Sequence, residues 1–266
     1  MGKAKSANED VMNVPKTNLL EYIGAEQTNL LVTLTKCHAD IAKMFPILDG
    51  AYQAPLGFID VNIKDEHKKT VLSLYLFTHY HLYFSTVCLL RCHISDSFGS
   101  TRKAIDATLT AYRLIEEPDT LPLYQQREWS YQSIKSHVVK KIKDDPTKFV
   151  HAAPLIELHD ICSEFGSHAD ISSFIHRTLV EPTEEAGKGL FKLGMFQIPD
   201  TDIELRRYLV ETLLAYTHMT KVFSAFFGEL AIGLDVTAWN AKIDELEQAF
   251  LQEAYKIDEQ ITAEDQ

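Results

Sequence analysis

Three residues with the chemistry of metal ligands, His81, Cys88 and Cys92, lie in the almost uniformly apolar segment Thr70–Ile94. At about 100° per residue they fall within one narrow arc of a helix. Imidazole nitrogen and thiolate sulfur are ligands that zinc and iron accept, so this arc could hold one metal ion. Cysteine is also a common core residue. We therefore predict no bound cofactor, with a zinc or iron site on this arc as the alternative.

Five residues at and beyond the end of this segment could recognise an anion. They are Arg91, His93, Arg102, Asp106 and Arg113. Arg102 and Asp106 are four residues apart, which places both on one side of a helix. The guanidinium fork matches carboxylate and phosphate groups, and arginines in excess over one aspartate leave a net positive charge. The alternative to an anion pocket is a strip of ion pairs that ties two helices together.

A third candidate is the sequence from Glu164 to Asp170, in which His168 lies in a predicted turn. His168 could act as a base oriented by Asp170 or Glu164, or these side chains could be metal ligands. The alternative is structural: Asp170 caps a helix that runs to Val180, and the histidine bonds within the turn.

Several catalytic motifs are missing from the chain. It contains no His-Glu-x-x-His, no Gly-x-x-x-x-Gly-Lys and no Gly-x-Ser-x-Gly sequence. The Glu-x-x-His pair of four-helix di-iron proteins is also missing. Glu204, Glu211 and His218 share a helix face, which we expect to face water.

The composition excludes some classes of partner. The 266 residues carry a net charge of −12, so a broad nucleic-acid-binding surface is disfavoured. Integral membrane insertion is also disfavoured, because His79 and His81 interrupt the one long apolar segment. The first residues are too polar for a secretory signal, and the cysteines form no Cys-x-x-Cys pair, which predicts a cytoplasmic protein with reduced thiols.

The elements that must position these side chains are helices. Apolar residues recur at helical spacing, and glycine and proline separate helices rather than hairpins. We predict a polar tail at residues 1–16, whose Met-Gly-x-x-x-Ser start also fits a myristoylation pattern. Residues 17–262 are predicted to form a single all-α domain. It is a bundle of seven or eight helices around a long apolar central helix, at about residues 64–96, that buries Leu76 and Phe84 and ends before Gly99.

The function predicted from these observations is that of an acidic helical interaction module. Its partner would be another protein or a small anionic ligand, and a homo-oligomer is compatible with the sequence. One alternative is an enzyme or ligand sensor with a buried Arg/Asp/His pocket. The other is a metal protein that uses histidine and carboxylate ligands.

Overall fold

Helices form nearly all of the described structure, which confirms the all-α prediction. The computed structural model describes residues 19–60, 62–147, 150–167, 178–182, 189–193 and 202–264. The described residues begin with α1 (Leu19–Val32), a π-helical turn (Thr33–Cys37), α2 (Ala39–Ala42), α3 (Met44–Gln53) and a 3-10 turn (Ala54–Phe58).

Two long helices, α4 (Glu66–Leu90) and α5 (Ile94–Glu116), form an antiparallel hairpin. The Asp65 carboxylate caps α4 by accepting hydrogen bonds from the backbone N–H groups of the second and third residues after it. The prediction of one helix over residues 64–96 is wrong, because the chain turns after Leu90. Cys92 adopts a positive φ of 63° in this turn, a conformation that ends a right-handed helix.

The predicted helix break at Gly99-Ser100 is also wrong, since both residues lie within α5. The glycine penalty in a helix is about 1 kcal/mol, which tertiary packing can outweigh. The α5 face that meets α4 is rich in small residues, so the two helices approach closely. Ser100 Oγ lies 2.7 Å from His81 Nδ1 and Thr108 Oγ1 lies 3.2 Å from Thr78 Oγ1, which satisfies polar groups that this contact buries.

The second half of the chain adds further helices and one small hairpin. The helices are a 3-10 turn (Pro118–Thr120), α6 (Leu121–Gln125), α7 (Tyr131–Asp144), α8 (Ala152–Ser167), α9 (Asp202–Val222), α10 (Ser224–Leu230) and α11 (Val236–Glu264). Two antiparallel strands, β1 (Thr178–Pro182) and β2 (Gly189–Leu193), pair with Thr178 opposite Leu193. Residues 178–180 therefore belong to a strand and not to the predicted helix that ends at Val180.

The core joins α3, α4, α9 and α11 through aromatic side chains whose polar ends are paired. The Tyr75 hydroxyl donates to the Tyr52 carbonyl, and the Tyr52 hydroxyl donates to the Tyr216 carbonyl. The indole N–H of Trp239 donates to the Ala51 carbonyl at 2.9 Å. These bonds allow large rings to be fully buried without leaving unpaired donors.

α4 is not the buried centre of the bundle, because only one of its faces packs inward. Tyr75 and Leu82 are buried, whereas Leu76 and Phe84, which the sequence assigns to the core, are exposed to 44% and 47%. None of the helices in the described ranges combines the length and the hydropathy that a bilayer-spanning segment needs.

Candidate functional site

The predicted anion-binding residues are spread along the α4–α5 hairpin. Arg91 and His93 lie at its closed end, where His93 Nε2 is 2.5 Å from Glu26 Oε2 and His93 Nδ1 is 3.2 Å from Asp96 Oδ2. This histidine thus bridges α1 and α5. Arg113 lies eleven residues beyond Arg102, or about 16 Å along the helix axis.

Arg113 has structural partners at its own end of α5. Its guanidinium carbon lies 4.1 Å from the centre of the Trp129 ring, and its Nε lies 3.7 Å from Glu117 Oε2. The stacked cation ties α5 to the loop before α7. Of the predicted anion-binding set, the structure therefore brings together Arg102 and Asp106. His168 and Asp170 lie outside the described residues.

Arg102 and Asp106 meet at a buried histidine, His159 on α8. Asp106 Oδ1 lies 3.1 Å from His159 Nε2, and Arg102 Nε lies 3.4 Å from the same nitrogen. The Tyr131 ring stacks on the imidazole with 3.6 Å between ring centres. His159 follows no recognisable motif, but it lies four residues after Leu155 and therefore on the same inward face of α8.

Ser163, His159 and Asp106 lie in the order of a catalytic relay, but the serine proton is directed elsewhere. Ser163 Oγ is 3.3 Å from His159 Nδ1, and the same hydroxyl donates to the His159 carbonyl at 2.7 Å. Such a bond to the preceding helical turn is a common structural contact of serine. An activated nucleophile would instead direct its proton to the imidazole. This cluster is best explained as a polar contact between α5 and α8.

An open groove of about 770 Å³ lies between α4 and α5, next to Asp106. Its lining residues are Glu66, Lys69, Thr70, Ser73, Leu74, Phe77, Lys103, Asp106, Ala107, Thr110 and Tyr124. Two of these side chains are cationic and two are anionic. The groove therefore has no charge excess that would select an anion.

The three predicted metal ligands on α4 and after it have other environments. His81 Nδ1 is bonded to Ser100, and burial lowers the pKa of its imidazole. Burial also raises the pKa of the Cys88 thiol to about 11, so this cysteine is a neutral thiol at pH 7. Among the described residues, no group of three metal-ligating side chains includes His81, Cys88 or Cys92.

The most unusual surface of the described structure is the outer face of α4. Six large apolar side chains on this face are between 37% and 59% exposed. They are Leu76, Phe77, Tyr80, Tyr83, Phe84 and Val87, and we call them the α4 stripe. At 100° per residue they cover an arc of about 120°. A contiguous apolar surface of this kind marks an interaction site more often than isolated exposed residues do.

The rings of the α4 stripe are held in place by neighbouring side chains. The Tyr83 hydroxyl donates to Asp49 Oδ1, which His79 Nε2 also approaches to 2.6 Å. Tyr80 and Phe84 stack with 6.5 Å between ring centres. Rings that are already ordered lose little conformational entropy when a partner binds.

No protein-family model, curated protein or solved structure matches this chain.

Proposed function

We propose that this protein is a helical interaction module whose α4 stripe docks a second copy of the same chain. The observation that carries the proposal is the row of exposed, ordered aromatic side chains along α4. Aromatic residues are enriched in the buried centres of protein interfaces, where they contribute most of the binding free energy.

The spacing of the α4 stripe favours a two-fold symmetric pair. Tyr80 lies at its centre, with Leu76 and Phe84 four residues to either side and Phe77 and Tyr83 three residues to either side. A two-fold axis perpendicular to α4 at Tyr80 would pair two antiparallel helices. Leu76 of one copy would then meet Phe84 of the other, and Phe77 would meet Tyr83. One patch serves both partners in such a closed dimer.

The ends of the α4 stripe are compatible with the same arrangement. Val87 lies seven residues after Tyr80 and would meet Ser73, a small residue seven residues before it. Arg91 would lie beside the Glu66–Lys69 pair, whose charged atoms are 2.6 Å apart. The apolar centre would therefore be flanked by charged groups at both ends, as is usual for the rim of an interface.

The exposed area is sufficient for the core of a dimer. If a fully exposed side chain of this size presents ~200 Å², the α4 stripe presents roughly 550 Å² on each copy. A standard interface buries about 800 Å² per partner. The walls of the adjoining groove, which include Lys69 and Lys103, can supply the remaining polar area.

Sedimentation equilibrium over a range of protein concentrations tests this proposal. We expect wild-type chain to reach twice its monomer mass of 30.2 kDa. Tyr80→Asp places two carboxylates against each other on the axis. A loss of about 2 kcal/mol per copy, or ~4 kcal/mol per dimer, weakens association roughly 1000-fold. Tyr255→Asp is the matched control, because Tyr255 is 68% exposed on α11 and lies outside the α4 stripe.

Two results would overturn the proposal. One is a wild-type chain that stays at its monomer mass at every concentration. The other is a Tyr80→Asp dimer as tight as that of Tyr255→Asp, because the second copy would then dock elsewhere. Circular dichroism of each variant checks that the helices are intact before the masses are compared.

A further inference from the structure

Three metal-ligating side chains from distant parts of the sequence meet beside α9. His151 lies in the turn before α8, His218 lies on α9 and Glu247 lies on α11. One ligand atom from each falls within 4.8 Å of the other two. The sequence predicts that His218 faces water, but the structure places it half-buried against α11.

The distance between two of these atoms already suits a metal ion. His218 Nδ1 lies 3.4 Å from Glu247 Oε1. A tetrahedral zinc ion with bonds of 2.0–2.1 Å separates its ligand atoms by about 3.3 Å. The His151 ring centre is 6.2 Å from that of His218, so a small rotation of the His151 side chain would complete the set.

One imidazole nitrogen of the cluster is available to a metal ion. His151 Nδ1 is buried and has no hydrogen-bond partner among the described residues. A buried polar atom without a partner is costly, and a bound ion would remove that cost.

The charged side chains around the cluster orient the Glu247 carboxylate and are compatible with a bound cation. The Lys221 ammonium bonds to Glu247 Oε2 and lies 2.5 Å from Asp244 Oδ1. The other oxygen, Glu247 Oε1, faces His218. Lys221 contributes one positive charge and Asp244 and Glu247 contribute two negative charges, and this balance does not oppose a divalent ion. A second partner that fixes a ligating carboxylate is typical of metal sites.

We propose that His151, His218 and Glu247 bind a divalent metal ion of the zinc class. Two imidazoles and one carboxylate are a ligand set that zinc and other borderline transition metals accept. Three protein ligands also leave one position of a tetrahedral ion for water or for a ligand from solution. The cluster lies on α9, α11 and the turn before α8, so it is independent of the α4 stripe.

Titration of the metal-stripped full-length chain with Zn²⁺ alone, followed by calorimetry, tests this proposal. We expect one high-affinity site per chain and a higher melting temperature in the presence of zinc. Glu247→Gln should weaken zinc binding by roughly 100-fold or more, because it removes a direct ligand. Glu245→Gln, an exposed change on the same helix, is the matched control and should bind zinc like the wild type.

A second variant tests the same site without depending on whether Glu247→Gln folds. His151→Gln lies before α8 rather than within a helix, and it should also abolish the zinc-dependent rise in melting temperature. Co²⁺ provides a spectroscopic readout, because its visible absorption reports coordination by nitrogen and oxygen. A flat Zn²⁺ titration of the wild type would overturn the proposal, as would equal zinc affinity in the wild type, His151→Gln and Glu247→Gln.

Discussion

Two leucines on α4 allow a direct test of which face of this helix is buried. Leu82 is 2% exposed, whereas Leu76 is 44% exposed. Leu82→Asp loses about 3 kcal/mol of packing and also buries an unpaired charge, which costs several kcal/mol more. Against a total stability of roughly 5–15 kcal/mol, we expect this variant to lose its cooperative unfolding transition.

Leu76→Asp should be far less harmful. About half of the leucine surface is already in water, so the lost burial is worth about 1 kcal/mol. The lower helix propensity of aspartate adds ~0.5 kcal/mol. The melting temperature should then fall by roughly 3–6 °C for a chain of this size.

Thermal unfolding followed by far-ultraviolet circular dichroism separates these outcomes. The scans are run at low and high protein concentration, because a dimer adds a concentration-dependent stabilisation that Leu76→Asp would also remove. If both variants unfold at low concentration, the outer face of α4 is buried within one chain and our assignment is refuted. If neither unfolds, the packing of Leu82 is refuted.

Three further predictions concern titratable groups. Burial holds the pKa of His81 below its value in the unfolded chain, so the unfolded state takes up the proton first. The free energy of unfolding should therefore be at its full value above pH ~6.5 and should fall on acidification. In urea titrations, the free energy of unfolding of His81→Gln should depend less on pH than that of the wild type. Burial raises the pKa of Cys162 to about 12, so mass spectrometry should find this thiol unmodified by a disulfide reagent until the chain is unfolded. A hydrogen bond from Arg206 lowers the pKa of Asp40 to about 2, so this ion pair stabilises the fold above pH ~4 and the stabilisation is lost as the pH falls through about 2. Because Asp40 is largely exposed, Asp40→Asn should lower the free energy of unfolding by only ~1 kcal/mol at pH 7. Urea titrations should show that the difference in free energy between the variant and the wild type becomes smaller in acid.

The class of fold could be predicted from the sequence because apolar residues recur at helical spacing throughout. The helix boundaries around Arg91 and Gly99 could not. A glycine normally weakens a helix, but here it lies within α5, and the actual turn is centred on a cysteine with positive φ. The packing of α5 on α4 determines where the helices begin and end, and local helix propensity does not include such contacts.

The outer face of α4 shows why hydropathy alone does not identify the core residues of this helix. In a sequence, an apolar side chain that packs within its own chain cannot be distinguished from one that packs against a partner protein. Phe84 and Leu82 are both large and apolar, yet they point to opposite sides of the helix. Only the positions of the neighbouring helices separate the two cases.

The candidate sites also depend on contacts between helices that are distant in the sequence. Their spacing in the sequence pairs Arg102 with Asp106, but the partner that they share is His159 on another helix. The cluster of His151, His218 and Glu247 spans almost a hundred residues and follows no motif. Sequence spacing reveals ligands that lie on one helix, whereas these sites depend on how separate helices pack.

The most direct test of the central claim is self-cross-linking of Tyr80→Cys. Across a two-fold axis, helices 8–10 Å apart leave facing Cα atoms roughly 5 Å apart, which is within reach of a disulfide. In Leu76→Cys, the two copies of the new thiol would lie about 12 Å apart along the axis. We predict that mild oxidation converts Tyr80→Cys, but not Leu76→Cys, into a covalent dimer. If neither variant cross-links, or if both do so equally, the antiparallel pairing of α4 is contradicted.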